Sequence, residues 1–158
     1  RAQNVGISVI AIPVVYALFN LFYALLSVPA GALSDKIGRI KVMQVGWLIY
    51  AVSYIGFALA NQAWQIWIIY IFYGFYYATT ESIAKALVAQ IVPDNQRGTA
   101  YGFFNASLGL MSLPANLIAG FLWDKVAPSA TFFFGAACAI LALVLINFSK
   151  LEKTEIIK

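Results

Sequence analysis

Charged residues are placed so sparsely in this chain that they leave five long apolar stretches, and that spacing limits the possible folds more than any motif. The stretches run over about 5–31, 42–60, 64–92, 99–122 and 130–148, and only the third is interrupted, by Glu81 and Lys85. Each reaches or approaches the ~20 residues that cross a bilayer hydrocarbon core of about 30 Å as a helix. A soluble fold of 158 residues cannot hide five such segments. The expected fold is therefore all-α and integral to the membrane, with five transmembrane helices. The connections expected between them are short: a charged stretch at 32–41, Asn61-Gln62-Ala63, Pro93 to Gly98, and Asp124 to Ser129. None has room for a soluble domain, and residues 149–158 follow as a short tail. Pro13, Pro29 and Pro114 fall within or near the spans, where membrane helices tolerate breaks that often lie beside cavities.

Composition then removes whole classes of function. The chain is 63% hydrophobic and 10% charged, against about 45–50% and 25% in ordinary soluble domains. That balance excludes disorder and nucleic-acid binding, and a single Cys138 excludes a disulfide scaffold. With no His at all, no imidazole is available as base, shuttle or metal ligand, so neither a metal nor a cofactor is expected. Cys138 sits in an apolar run and reads as a small packing residue. The chain opens on Arg1 without Met or a signal-peptide layout, which reads as a processed chain or a piece of a longer one.

Five spans put the two ends on opposite sides of the membrane. One side collects Lys36, Arg39, Lys41, Arg97, Lys150, Lys153 and Lys158, and the other only Arg1 and Lys125. The positive-inside rule makes the first group cytoplasmic, with the amino end outside and the tail inside a plasma (inner) membrane. Trp64, Trp67 and Trp123 then fall at the outer interface, where indoles bury the ring and keep the N–H wet.

Within the spans, polar residues fall into helical stripes. Tyr16, Asn20, Tyr23 and Ser27 share a face of the first span; Tyr70, Gly74, Tyr77, Glu81 and Lys85 share one on the third. Tyr101, Asn105, Ser112 and Asn116 do so on the fourth, whereas the fifth span is plain and the second nearly so. Any one of these residues is accounted for by hydrogen bonding between helices. Three aligned stripes together point to a polar interior shared by the first, third and fourth spans. Glu81 and Lys85 are the sharpest pair, because an ionised group at mid-membrane costs about 2.5–3.5 kcal/mol on insertion scales. Glu preceding Lys by four residues is the favourable order for an intrahelical pair. Two readings stay open: mutual neutralisation that merely lets the helix insert, or a role in a cavity or in coupling.

The stretch Gly31-Ala32-Leu33-Ser34-Asp35-Lys36-Ile37-Gly38-Arg39 resembles the signature loop of the major facilitator superfamily (MFS) of transporters, a Gly, an acid, a base, Gly and Arg between two transmembrane helices on the cytoplasmic side. Ile40 stands where a base is usual, with Lys41 after it. Pro93 to Gly102, Leu113-Pro114-Ala115-Asn116 and Gly120 to Asp124 are similar to the second half of that family, so the resemblance covers the whole chain. It implies helices eight to twelve of a twelve-helix fold, a partial MFS bundle whose partners are the lipid bilayer and the missing helices of the same transporter. The alternative register, helices two to six, keeps the same topology. The third span then corresponds to the cavity-lining tenth helix, and the plain second and fifth to peripheral helices.

The function so implied is transport of a small solute by alternating access, with protons as a candidate coupling ion and no enzyme activity. A membrane receptor or scaffold is a second class, and a membrane-embedded enzyme a third that this inventory of side chains serves poorly. The candidate substrate and coupling residues are Glu81, Lys85, Tyr70, Tyr77, Asn20, Asn105 and Asn116. Removal from water favours the neutral Glu81 carboxyl and Lys85 favours the carboxylate, so the balance differs between wet and sealed states. Alternatively, Lys85 holds an anionic solute and Glu81 is its resting partner. The signature-loop residues Gly31, Asp35, Lys36, Gly38 and Arg39 are expected to form a conformational latch. In it Gly31 permits close helix approach, Asp35 faces a helix amino terminus, and Arg39 reaches Gln90 where the resemblance implies an acid. The plainer reading is that Lys36, Arg39 and Lys41 only fix topology.

Overall fold

The computed structural model describes residues 1–148; the tail expected at 149–158 lies outside the described residues. Five long helices make up the chain: α1 (Ile12–Ile37), α2 (Arg39–Leu59), α3 (Ala63–Ile91), α4 (Arg97–Lys125) and α5 (Pro128–Phe148). Four of them are long and apolar enough to cross a membrane. The third and longest span read from the sequence, α3, runs for 29 residues but is not in that set. Half of its aromatic residues are tyrosines, at 70, 73, 76 and 77, and it carries Glu81 and Lys85, all of which lower its hydropathy. The chain is an integral membrane protein with a helical bundle.

Helix boundaries follow local chemistry. The first apolar stretch does not become helix at once: 3-10 turns at Gln3–Val5 and Val9–Ala11 precede α1, with Gly6 between them at φ 94°. Pro13 then sits in the first turn of α1, where its fixed φ fits and its missing N–H is no loss. The charged stretch at 32–41, expected as a connection, is almost all helix. Nothing in Ala32 to Ile37 stops an α-helix, so α1 continues past its apolar part to Gly38. Gly38 at φ 100° turns the chain in one residue, and α2 starts at Arg39. A side chain at that φ is strained, which is why glycine serves as the joint. At the other end of α2, Gln62 and Gln65 form a reciprocal capping box that opens α3, the Gln65 Oε1 accepting from the backbone N–H groups of Asn61 (2.8 Å) and Gln62 (2.9 Å). The Arg1 guanidinium donates to the carbonyls of Phe57, Ala58 and Ala60, so the last carbonyls of α2 are satisfied.

Packing centres on α3, which lies between α1 and α2, while α5 covers the opposite side of α2. Small residues permit the closest approaches. A Cβ on Gly74 of α3 would stand 3.0 Å from the Phe19 carbonyl oxygen and 3.1 Å from the Phe22 Cβ of α1. One on Gly46 of α2 would stand 2.5 Å from the Thr79 hydroxyl of α3, and one on Gly135 of α5 would stand 2.6 Å from the Tyr54 ring of α2. This is how membrane helices associate where lipid is as apolar as the side chains. Gly31 was expected to serve the same purpose, but among the described residues nothing from another part of the fold lies within 4 Å of where its Cβ would stand. That face of α1 has no neighbour here. Helix α4 stands at the edge, packed on α5 and touching α3, with no buried residue.

Candidate functional site

Glu81 is held on two sides. Lys85, one turn on along α3, places its Nζ 3.0 Å from Glu81 Oε1, and the Tyr23 hydroxyl of α1 donates to Glu81 Oε2 across 3.2 Å. Tyr23 is itself fixed in a stack of rings. It lies 6.3 Å from Phe19 in near-parallel planes and 5.9 Å from Tyr77 edge-on. From the other side, the Tyr101 hydroxyl of α4 donates to the Lys85 carbonyl (3.1 Å). One carboxylate thus ties α1 to α3, beside the point where α4 touches α3. Its side chain is 40% exposed and that of Lys85 49%, so both reach open space as well as each other.

That space is a cavity of about 510 Å³ whose wall includes Glu81, Lys85, Tyr77, Thr80, Trp47 and Asn105. Its volume falls in the range that takes a drug-sized ligand. The wall is mainly apolar, with a few polar groups converging on one side, which is the usual make-up of a small-molecule site. Helix α2, read from sequence as nearly plain, supplies Met43 and Trp47 to it. Among the described residues no group of three His, Cys, Asp or Glu stands together to hold a metal.

The polar stripes are therefore only partly united. Those of α1 and α3 meet through Tyr23, Tyr77 and Glu81, and Asn105 of α4 reaches the same cavity. Asn20 instead donates to the Tyr16 carbonyl of its own helix (2.8 Å), and Asn116 lies exposed on α4. Tyr70 lines a separate cavity of about 410 Å³ near the start of α3, with Tyr54, Phe57, Tyr73 and Phe132. The sequence reading missed the seam that joins these two places. Tyr50 and Tyr54 of α2 stack at 4.0 Å and meet Tyr73 and Tyr76 of α3. A signal was present in the Tyr50–Tyr54 spacing of four, which puts both rings on one face of α2.

At the joint between α1 and α2, Arg39 of α2 reaches across to α3. Its Nη1 donates to the Ala86 carbonyl (2.6 Å) and to Gln90 Oε1 (3.0 Å), and its Nη2 lies 3.6 Å from Asp35. The expected link from Arg39 to Gln90 is thus made with a neutral partner. Asp35 is 68% exposed and Ser34, Gly38 and Gln90 join it around a small cavity. Lys36 is exposed in the last turn of α1, where a cation suits the helix dipole.

Comparison with known proteins agrees with this architecture. The model of the Major Facilitator Superfamily matches residues 1–155. An uncharacterised MFS-type transporter of Methanocaldococcus jannaschii is 41% identical over 140 residues, covering 88% of this chain and 35% of the relative. The class B tetracycline resistance protein of Escherichia coli is 25% identical over 85% of this chain and 33% of its own length. A quinolone resistance protein of Staphylococcus aureus is 23% identical over 90% of this chain and 37% of its own length. No solved structure matches. The chain spans about a third of the length of the curated relatives it matches. It belongs to the Major Facilitator Superfamily.

Proposed function

We propose that this member of the superfamily is part of a secondary transporter that moves a drug-sized organic solute by alternating access, with protons as the coupling ion. In this reading the chain forms helices eight to twelve, and the remaining helices of the transporter complete the cavity and rock against this half. The amino end of α1 faces outside, and the Arg39 end of α2 faces the cytoplasm of a plasma (inner) membrane. The protein is a transporter and not an enzyme.

The observation that carries the reading is Glu81, an ionisable group in the middle of a membrane helix on the wall of a drug-sized cavity. Its cation, Lys85, and its donor, Tyr23, belong to different helices, so the stability of its charge depends on how those helices sit. A group whose proton affinity differs between two states of the protein couples proton binding to the exchange between them. Tyr77 and Asn105 supply polar contacts to the solute, and Trp47, Met43 and Leu108 its apolar bed. Two relatives are named for resistance to tetracycline and to quinolones, which supports a drug-like organic solute. Lys85, with its side chain half exposed at the same wall, also supports a second reading, in which it holds an acidic group of the solute and Glu81 is released.

The test is Glu81→Gln in the complete transporter, reconstituted in vesicles, with tetracycline and a quinolone as probes. Retained exchange with loss of accumulation driven by a pH gradient is the expected result. Accumulation that still responds fully to the gradient rules Glu81 out as the coupling site, and loss of exchange as well favours the second reading. Absence of any flux in the unaltered protein favours a receptor or scaffold.

A further inference from the structure

Tyr23 bonds Glu81 from outside the cavity wall. The cavity wall is built by α2, α3 and α4, whereas Tyr23 comes from α1. Glu81 and Tyr77 therefore touch both the cavity and the seam between α1 and α3, and of these two Glu81 is the one that accepts a hydrogen bond from α1. Along that seam the two helices cross at Gly74, where the Phe19 carbonyl oxygen, the Phe22 Cβ and the Tyr23 backbone nitrogen lie 3.0, 3.1 and 3.3 Å from the position of a Cβ. Glu81 is seven residues from Gly74, two turns further along the same face of α3. Gly74 thus marks a close approach of the pair, and the Tyr23–Glu81 hydrogen bond is a tie two turns away from it.

Beyond the tie, α1 is weak along its own axis. Ser27 donates to the Tyr23 carbonyl (2.6 Å), a side-chain bond that competes with the helical ladder and bends helices. Pro29 has no N–H to give the carbonyl four residues back. The part of α1 that follows carries Ser34 and Asp35 to the Arg39 joint, about 18 Å from Tyr23 at 1.5 Å per residue.

We infer that Tyr23 is a positioning residue that reports the charge of Glu81 to α1, so that neutralising the Glu81–Lys85 pair frees α1 to swing on Gly74 and moves the Arg39 joint. The inference rests on the reading of Glu81 as the coupling group. An ionised carboxylate makes a stronger hydrogen bond with a phenol than a neutral carboxyl does, and that difference is the signal. The groups that face Glu81 from the packed elements are Tyr23 on α1, Tyr76, Tyr77 and Lys85 on α3, and Asn105 and Tyr101 beside it on α4. Met43 and Trp47 on α2 add no titrating group. Of the tyrosines, Tyr23 is the one that reaches a carboxylate oxygen from another helix.

The experiment uses the complete transporter in lipid nanodiscs, with Cys138→Ser and spin labels at Leu33→Cys on α1 and Val88→Cys on α3. The interlabel distance distribution is read on either side of a pH step from mildly alkaline to acidic, with the proton itself as the probe. The unaltered pair is expected to respond to the step. Glu81→Gln is expected to hold one distribution at both pH values, and Tyr23→Phe to show the acidic distribution already at alkaline pH. The double variant should match Glu81→Gln alone, because Tyr23 acts only through Glu81, whereas a merely structural tyrosine adds its own effect. If Glu81→Gln loses the response and Tyr23→Phe keeps it in full, the inference about Tyr23 fails while Glu81 stands. If Glu81→Gln keeps the response, the reading of Glu81 fails first. Circular dichroism melts separate either result from unfolding, and Tyr23→Trp, which keeps an N–H donor, supplies a second variant should Tyr23→Phe not fold.

Discussion

Gly74→Ala is the substitution whose cost can be worked most directly from the structure. The new methyl would meet the Phe19 carbonyl oxygen at 3.0 Å, the Phe22 Cβ at 3.1 Å and the Tyr23 backbone nitrogen at 3.3 Å. Carbon–carbon contacts are best at about 3.5–4.0 Å, so the fit to Phe22 is short by about half an ångström. None of the three atoms is the tip of a flexible side chain, so relief requires α1 as a body to move away from α3. Overpacking of this kind costs about 1–3 kcal/mol. Replacing Gly by Ala in a helix returns about 0.8–1.0 kcal/mol. The net expectation is a destabilisation of about 0–2 kcal/mol, centred near 1. The same displacement lengthens the Tyr23–Glu81 bond, which at 3.2 Å is already longer than the about 2.5–3.0 Å usual for its kind. Gly31→Ala is the matched control, because among the described residues nothing stands within 4 Å of its Cβ position. Thermal unfolding of the complete transporter in detergent, with both variants side by side, measures the difference. Equal or higher stability for Gly74→Ala than for Gly31→Ala refutes the close approach at Gly74.

At the joint between α1 and α2, Gln90→Ala removes one neutral acceptor from Arg39 and leaves its bond to the Ala86 carbonyl, so a loss of about 0.5–1.5 kcal/mol is expected. Gln90→Asp converts the same contact to a charge-assisted one and should raise thermal stability; a fall in melting temperature for Gln90→Asp counts against the contact. For topology, single cysteines at Gln62 and Asn95 are expected to react with a membrane-impermeant maleimide from opposite sides, and labelling of both from one side overturns the orientation.

How far these elements could be read in advance depended on the kind of information each needed. The five helices were legible because a membrane span is a one-dimensional property: length and apolarity along the chain suffice. Boundaries were less so. The apolar run and the helix are different objects, since α1 carries on through Ser34, Asp35 and Lys36 until Gly38 turns the chain, and starts only at Ile12 although apolar residues begin at Val5. The Glu81–Lys85 pair was legible because both members lie on one helix at a spacing of four. Tyr23 was placed on a polar face, but its partner lies 58 residues away, and no local spacing predicts which helix that face will meet.

The stripe on α4 makes the same point from the other direction. Its residues fall on one face, as the periodicity said, yet only its first turns reach α3: Tyr101 bonds the Lys85 carbonyl and Asn105 lines the cavity. Further along, Ser112 donates to the Gly109 carbonyl of its own helix and Asn116 is exposed. In a bilayer an exposed Asn is costly, because no water replaces the lost hydrogen bonds. No Cβ position on Gly98, Gly102, Gly109 or Gly120 has a neighbour within 4 Å either. Periodicity places the residues of a helix on a face, whereas polarity in lipid only requires that the face be covered. What covers it is a tertiary fact. The chain makes up about a third of its relatives' length, and the polar face of α4 is the part of this third that its own five helices leave most open.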